Sequence, residues 1–159
     1  MDANFDVRQI SVDRLLKDWR WLCNDPVSLV AKSAFGDLFL RNEAGNVLRL
    51  DVSVGQLTKI AHSVEQFLLL AGTEEKKQEW FAIDDERRAA QKGLIPGEDE
   101  CIAFKIPVVF RESATAPNNA YVGNLYECVS FLGSVHRQIA GLGDGSEIRL
   151  QIKEEPPTR

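Results

Sequence analysis

The chain has 159 residues, 44% of them hydrophobic and 27% charged, which is enough for one globular domain with a single core. Its net charge of −5 argues against nucleic acid as a direct partner, because that affinity depends on a basic patch that neutralises phosphates. The three cysteines are odd in number and widely spaced, which argues against a disulfide framework. The N-terminus does not resemble a signal peptide, and no apolar run approaches the roughly 20 residues of a membrane span, so we expect a cytoplasmic protein without membrane contact.

The first third of the chain predicts one helix followed by four short strands. Apolar residues recur at helical spacing from Val12 to Leu22, with Ser11 as the N-cap. The stretch "SAFGDLFLRNEAGNVLRLD", residues 33–51, contains a Gly45-Asn46 turn between apolar runs and therefore predicts a hairpin. The four strands are expected at 28–33, 37–42, 46–52 and 56–61.

The middle of the chain predicts three helices. "SVEQ" at 63–66 fits a capping box, and Gly72 ends the helix that it begins. The acidic segment that follows predicts two short helices, roughly 74–82 and 84–92, anchored by Trp80, Phe81 and Ile83.

The last third predicts strands on either side of a long helix. "CIAFKIPVVF", residues 101–110, is expected to be a strand interrupted at Pro107, which cannot donate to a ladder, so its second half is expected to be an edge strand or a bend. An exposed loop at 111–119 and a brief strand at "AYVG" precede a helix whose apolar stripe runs from Leu125 to Leu142. "SEIRLQI" at 146–152 alternates as a final strand, with Ile148, Leu150 and Ile152 facing inward, and a flexible tail at 153–159 follows.

This order of elements predicts a single α+β domain with its core between about residues 11 and 152. Strands cluster early, helices occupy the middle, and a strand–helix–strand segment returns to the sheet. We therefore expect a mostly antiparallel sheet with the helices packed on one face.

No constellation of catalytic or metal-binding residues is visible. His62 precedes a helix cap, and His136 lies beside an apolar helical stripe, where a partly buried structural role is expected. Cys101 and Cys128 occupy apolar settings typical of small core residues. The hairpin at 33–51 offers no His, no Cys and no paired carboxylates, and no metal-ligand spacing occurs. The expectation is a protein without cofactor, metal or enzymatic activity.

The acidic segment is the candidate binding site. Residues 74–100 hold nine acidic and five basic side chains, so they carry −4 of the net charge of −5. Such a run is often only a solvated helix face, but acids beside aromatic anchors also suit a basic protein partner. The candidate partner-binding residues are Asp84, Asp85, Glu86, Glu98, Asp99 and Glu100.

Three stretches of the sequence resemble a bacterial family. They are the hairpin "FGDLF" followed by "GNVLRLDV", the strand "ECIAFKIPVVF", and the ending "HRQIAGLGDG". Together they resemble the C-terminal domain of Tdi-type immunity proteins of type VI secretion systems, which is similar to the SUKH-type immunity fold. The resemblance covers roughly residues 15–152. After "AFKIP" members commonly continue with a Leu-Gly-Gly turn, where this chain has Val108, Val109 and Phe110.

The resemblance implies a protein that binds a cognate toxin, most commonly a nuclease, and blocks it stoichiometrically. Nucleases are commonly basic where they hold phosphate, which suits an acidic inhibitor. Two alternatives from other classes stay open. One is a small enzyme or metabolite-binding domain with a cleft near Cys101, His136 and the 111–119 loop, and the other is a regulatory or scaffolding protein of the same fold.

Overall fold

Two antiparallel sheets and five α-helices make up residues 3–149, the part of the chain that the computed structural model describes. The strands are β1 Val27–Lys32, β2 Leu38–Asn42, β3 Val47–Asp51, β4 Gln56–Ala61, β5 Glu100–Phe104 and β6 Ala120–Asn124. The helices are α1 Val12–Leu16, α2 Val64–Ala71, α3 Glu74–Phe81, α4 Ile83–Gln91 and α5 Leu125–Ile139, with 3₁₀ turns at Ala3–Phe5 and Arg111–Ala114.

The larger sheet has the order β1-β2-β3-β4, with every pair antiparallel, so each strand lies beside its neighbour in sequence. The α+β class and the antiparallel sheet are confirmed. The predicted hairpin is also confirmed, with Leu40 facing Leu48 across β2 and β3. The end of the fold differs, because β5 and β6 form a separate two-stranded sheet instead of joining the larger one.

The larger sheet is covered on both faces, which corrects the expectation that helices pack on one face only. Side chains alternate along β2: Leu38 and Leu40 belong to one buried cluster, and Phe39 between them belongs to another. Three consecutive buried residues in a strand, here Leu38 to Leu40, require that both faces of the sheet be covered at that point. The sequence of β2 already indicates burial on both faces, because its apolar residues do not alternate with polar ones.

The first face packs against α1 and α5. Leu15, Leu16 and Trp19 contact the sheet there, and Leu125 and Val129 of α5 complete the cluster. The Trp19 indole Nε1 donates to the carbonyl oxygen of Val129 at 2.8 Å. The helix predicted to reach Leu22 ends at Leu16. The chain then continues in turns, and its apolar residues keep the same spacing in sequence.

The second face packs against α2 and α3 through aromatic side chains. Phe39 lies 5.3 Å from Phe67 and 4.8 Å from Phe81, between ring centroids. Trp80 stacks on Phe67 at 5.4 Å, and Phe5 from the N-terminal 3₁₀ turn contacts both phenylalanines of the helices. Trp80 and Phe81 are thus core residues as well as neighbours of the acidic segment.

β5 ends at Phe104, and of the two alternatives for the second half of 101–110, an edge strand or a bend, the structure has the bend. Residues 105–110 form turns instead, and Asn119 holds them by bonding the backbone of Ile106 on both sides. Pro107 has no N–H to donate to a neighbouring strand. The hydrogen bonds between the Asn119 side chain and Ile106 therefore hold this segment in place of strand pairing. The 111–119 loop is largely exposed, as expected, and includes the 3₁₀ turn Arg111–Ala114.

The long last helix is confirmed, although it ends at Ile139 rather than Leu142. The final strand is wrong for residues 146–149, which are exposed and have no strand structure. Its remainder, with Leu150 and Ile152, lies outside the described residues, as does the tail at 153–159. None of the helices in the described part of the chain is long and apolar enough to cross a membrane.

Candidate functional site

A groove of about 510 Å³ lies between the second face of the larger sheet and α4. Its floor is polar and consists of Asp37, Arg49 and Asp51. Its walls are partly aromatic, and its rim carries charged side chains of α4. Binding pockets for small ligands commonly have this combination of apolar walls and a few convergent polar groups.

The floor is an ion-pair network built by strand alternation. Arg49 and Asp51 stand two residues apart on β3 and therefore share one face, and Asp37 immediately precedes β2 on the same face. The Arg49 Nη2 donates to Asp37 Oδ2 at 2.7 Å and lies 3.3 Å from Asp51 Oδ2. The other Asp37 oxygen accepts from the backbone N–H of Val52 at 3.1 Å.

Burial governs the chemistry of this floor. Loss of solvent, followed by the charge of Asp51, raises the pKa of Asp37 to about 6, although Arg49 and the Val52 N–H oppose the rise. The Arg49 Nε is a buried donor for which the described residues supply no acceptor. A buried donor without a partner is costly, so this atom could take an acceptor from a ligand.

The walls and rim come from elements far apart in the sequence. Phe35 and Phe104 stack at 6.4 Å with nearly parallel rings, and Trp80 and Phe81 also border the groove. On the rim, α4 contributes charged side chains of both signs, Asp85 and Arg88, and Lys92 follows its last residue.

The first half of the predicted acidic site is partly neutralised within its own helix. Asp84 lies 3.6 Å from Arg87, and Asp85 contacts Arg88, each pair one turn apart on α4. Exposed pairs of this kind contribute little to stability, and they leave the carboxylates open to a stronger partner. Asp84 and Asp85 are exposed, whereas Glu86 is half-buried.

The second half of the acidic site adjoins β5. Glu98 and Asp99 are exposed, and Glu100, the first residue of β5, accepts from the backbone N–H of Gly97. Residues of α4 and of β5 both border the groove. The Lys32 side chain is buried, and burial lowers its pKa, although the charges of Cys101, Glu86 and Glu98 oppose that shift. We call Asp84, Asp85, Glu86, Glu98, Asp99 and Glu100 the acidic surface.

The alternative cleft near Cys101, His136 and the 111–119 loop is not assembled in the described residues. His136 is buried against Val52, whose carbonyl oxygen lies 3.0 Å from Nε2, and desolvation lowers its pKa. The structural role expected for His136 is therefore supported. The 111–119 loop borders a different, broad depression together with residues 144–148.

No three His, Cys, Asp or Glu side chains come together within residues 3–149 in a way that could hold a metal ion. The short runs at 84–86 and 98–100 therefore act as charged surface in this part of the chain. Contiguous carboxylates on a helix point in different directions, whereas hard cations require convergent oxygens.

Sequence reasoning missed the floor of the groove. The statement that the hairpin has no paired carboxylates was wrong, because Asp37 and Asp51 meet through Arg49. The available signal was the alternation of Arg49 and Asp51 within a buried strand. Charged residues at alternate positions of a strand that is otherwise buried indicate a polar site on one face.

No protein-family model matches the chain, and no curated protein matches it significantly.

Proposed function

We propose that this chain is an immunity-type protein that binds a basic protein toxin, in particular a nuclease of a type VI secretion system, and neutralises it by occlusion. It acts by occupying the surface of the toxin in the cytoplasm, without turning over a substrate. The observation that carries this proposal is that α4 and β5, which contain or adjoin the two acidic segments, border one preformed groove. Asp85 belongs to both the acidic surface and the groove.

Electrostatics supports the choice of a basic partner. The acidic surface contains six carboxylates, and residues 74–100, which include them, carry −4 of the net charge of −5. Opposite charges on two proteins accelerate their encounter, most strongly at low ionic strength. A nuclease presents basic groups where it holds phosphate, so an acidic inhibitor would compete directly with its substrate.

The groove supplies what charge alone lacks. Tight protein complexes depend on a few anchors that enter well-packed pockets, and rim charges mainly affect the association rate. The aromatic walls and the Asp37–Arg49–Asp51 floor would receive such an anchor from the toxin. The groove would therefore set the lifetime of the complex, and the acidic surface its rate of formation.

A test uses the purified chain and the protein encoded by the adjacent gene. We expect a one-to-one complex whose association rate falls as salt rises from about 0.05 to about 0.5 M. In the triple variant D84N/D85N/E98Q the association rate at low salt should fall about tenfold. Stopped-flow fluorescence measures the rate, and a nuclease assay measures inhibition.

The matched control is E43Q/E65Q/E112Q, which removes the same charge from exposed glutamates elsewhere on the molecule. It should associate at nearly the wild-type rate. If both triple variants slow association equally, the effect is one of net charge and not of the acidic surface. If the two proteins form no complex at any salt concentration, the proposed function is wrong.

A second candidate is recognition of a small molecule in the groove, favoured by the unpartnered Arg49 Nε and by a volume within the range of ligand pockets, about 300–1,000 Å³. A fragment screen followed by the NMR resonance of the Arg49 Hε tests it. Binding fragments should shift this resonance, and R49K, which keeps the charge but lacks this donor, should bind them more weakly. Fragments that leave the resonance unmoved would contradict this candidate.

A further inference from the structure

Two cysteines on different elements meet beneath the surface of the smaller sheet. Cys101 faces Gly123 across the β5–β6 pair. The Cys128 sulfur lies directly over Gly123, only 2.7 Å from where a Cβ of that residue would stand. Because Gly123 has no side chain, the Cys128 sulfur has room to lie over it. Gly123 is the cross-strand neighbour of Cys101.

The two sulfurs have different surroundings. Cys101 is buried, whereas Cys128 is partly exposed near the start of α5. The hydroxyl of Tyr121 lies 3.8 Å from the Cys128 sulfur. Both cysteines and Tyr121 border a cavity of about 30 Å³, which is enough for a molecule the size of water or of hydrogen peroxide.

The neighbours of Cys128 favour ionisation of its thiol. The Cys101 side chain, and after it the Tyr121 hydroxyl, lower the pKa of Cys128 to about 7, although burial opposes the shift. The same contact, with burial, raises the pKa of Cys101 well above its ordinary value. A substantial fraction of Cys128 is therefore thiolate near neutral pH, with a protonated thiol beside it.

We propose that Cys128 is a peroxide-reactive thiol and that Cys101 resolves its oxidised form to an intramolecular disulfide. This inference is independent of the toxin-binding proposal. In a reducing compartment the disulfide would form only during oxidative stress and would be reduced again by cellular thiols.

Hydrogen peroxide, or another hydroperoxide, is the oxidant. The Cys128 thiolate attacks one peroxide oxygen, the O–O bond breaks, and the leaving hydroxide takes a proton to become water, which leaves a sulfenic acid on Cys128. The Cys101 sulfur then attacks the Cys128 sulfur, the S–O bond breaks, and the hydroxide released combines with the Cys101 proton as a second water. One peroxide and two thiols thus give one disulfide and two waters.

The third cysteine serves as an internal control. Cys23 is buried in the first-face cluster, and desolvation raises its pKa, so it should react slowly. Purified full-length protein is treated with hydrogen peroxide, and the remaining thiols are followed by a colorimetric thiol assay and by peptide mass mapping. We expect loss of two of the three thiols and a peptide pair linked through Cys101 and Cys128.

Variants separate the two roles. C128S should slow thiol loss at least about tenfold, because the reactive thiolate is gone. C101S should still react, and its Cys128 sulfenic acid should be trapped by dimedone. C23S should behave as the wild type, and circular dichroism verifies folding of each variant. Mapping of the unmodified protein keeps the test decisive even if a variant unfolds: equal or faster oxidation of Cys23, or absence of the Cys101–Cys128 peptide pair, overturns the inference.

Discussion

Asp37 is the residue on which the polar floor of the groove depends. Its carboxylate is almost wholly buried, yet it contacts Arg49 and the backbone N–H of Val52. These contacts offset only part of the desolvation, since the pKa of Asp37 still rises from 3.8 to about 6. Asp37 therefore weakens the folded state when it is ionised. Such a residue is more readily explained by a binding role than by a contribution to stability.

This burial has a measurable effect on stability in mildly acidic solution. The folded protein keeps the Asp37 proton up to about pH 6, whereas the unfolded chain releases it near 3.8, so the folded form binds more protons between these values. The free energy of unfolding of the wild type, minus that of D37N, should therefore fall as pH rises through this window, by up to about 3 kcal/mol. Urea denaturation of both proteins at several pH values measures it.

Taking the difference between the two proteins cancels the pH-dependent contributions of groups that titrate in both, including His136. D25N, at an exposed aspartate, controls for the general effect of removing a charge. A difference between wild type and D37N that stays constant, or grows with pH, would show that Asp37 ionises normally and that the floor of the groove is solvated.

At the residue scale the sequence carried part of the candidate site. The acidic residues of 84–86 and 98–100 are evident from charge alone, and most of them are exposed as expected. Nothing local to either segment indicates that α4 and β5 border the same groove. The role of Asp37 was hidden for the same reason, because its partners are 12 and 15 residues away across a hairpin.

At the scale of elements, the close packing of α5 against the turns that follow α1 depends on one glycine. A Cβ at Gly133 would stand 2.6 Å from the carbonyl oxygen of Asp18 and 2.9 Å from the Trp19 indole nitrogen. The Trp21 indole also donates to the carbonyl oxygen of Gly133, at 3.2 Å. Glycine is unfavourable inside a helix, so its presence here is explained by this close approach.

G133A should therefore destabilise the protein despite the better helix propensity of alanine. The new methyl group meets backbone that cannot move away cheaply, and overpacking of this kind costs about 1–3 kcal/mol. The free energy of unfolding, from chemical denaturation, measures the effect. The control is G143A, because a Cβ there has no neighbour within 4 Å. If G133A were as stable as G143A, α5 would have room to shift.

Periodicity identified most elements of this fold, and its failures have local causes. The strand pattern of 101–110 continued beyond Phe104, but the proline and the side-chain clamp of Asn119 favoured turns. The apolar spacing from Val12 to Leu22 is helical in sequence, yet helical hydrogen bonding stops at Leu16 and turns continue to bury the same residues. The segment after α1 therefore buries the predicted side chains with a different backbone, whereas the turns after Phe104 leave Val108 and Val109 exposed.

At the scale of the whole molecule, two hydrophobic clusters share one sheet as their common wall. Leu40 belongs to the first cluster and its neighbour Phe39 to the second. If the helices left either face, the strand residues of that face would be exposed to solvent. The neighbours of these residues along the same strands pack in the other cluster, so that cluster would be disturbed as well. The two faces should therefore unfold together, as in most single domains of this size.

The three tryptophans allow this cooperativity to be measured. Trp19 stacks on Trp21 at 6.0 Å on the side of the first cluster, whereas Trp80 lies in the second. In W80F, fluorescence reports only the first face, and circular dichroism at far-ultraviolet wavelengths reports the helices of both. Because the sheet couples the faces, the two denaturation curves of W80F should have the same midpoint. In the complementary variant W19F/W21F, fluorescence reports the second face alone and should again coincide with circular dichroism. Separate midpoints in either variant would mean that the α2–α3 layer unfolds independently, and the groove, which Trp80 and Phe81 of α3 border, would then open before the rest of the domain.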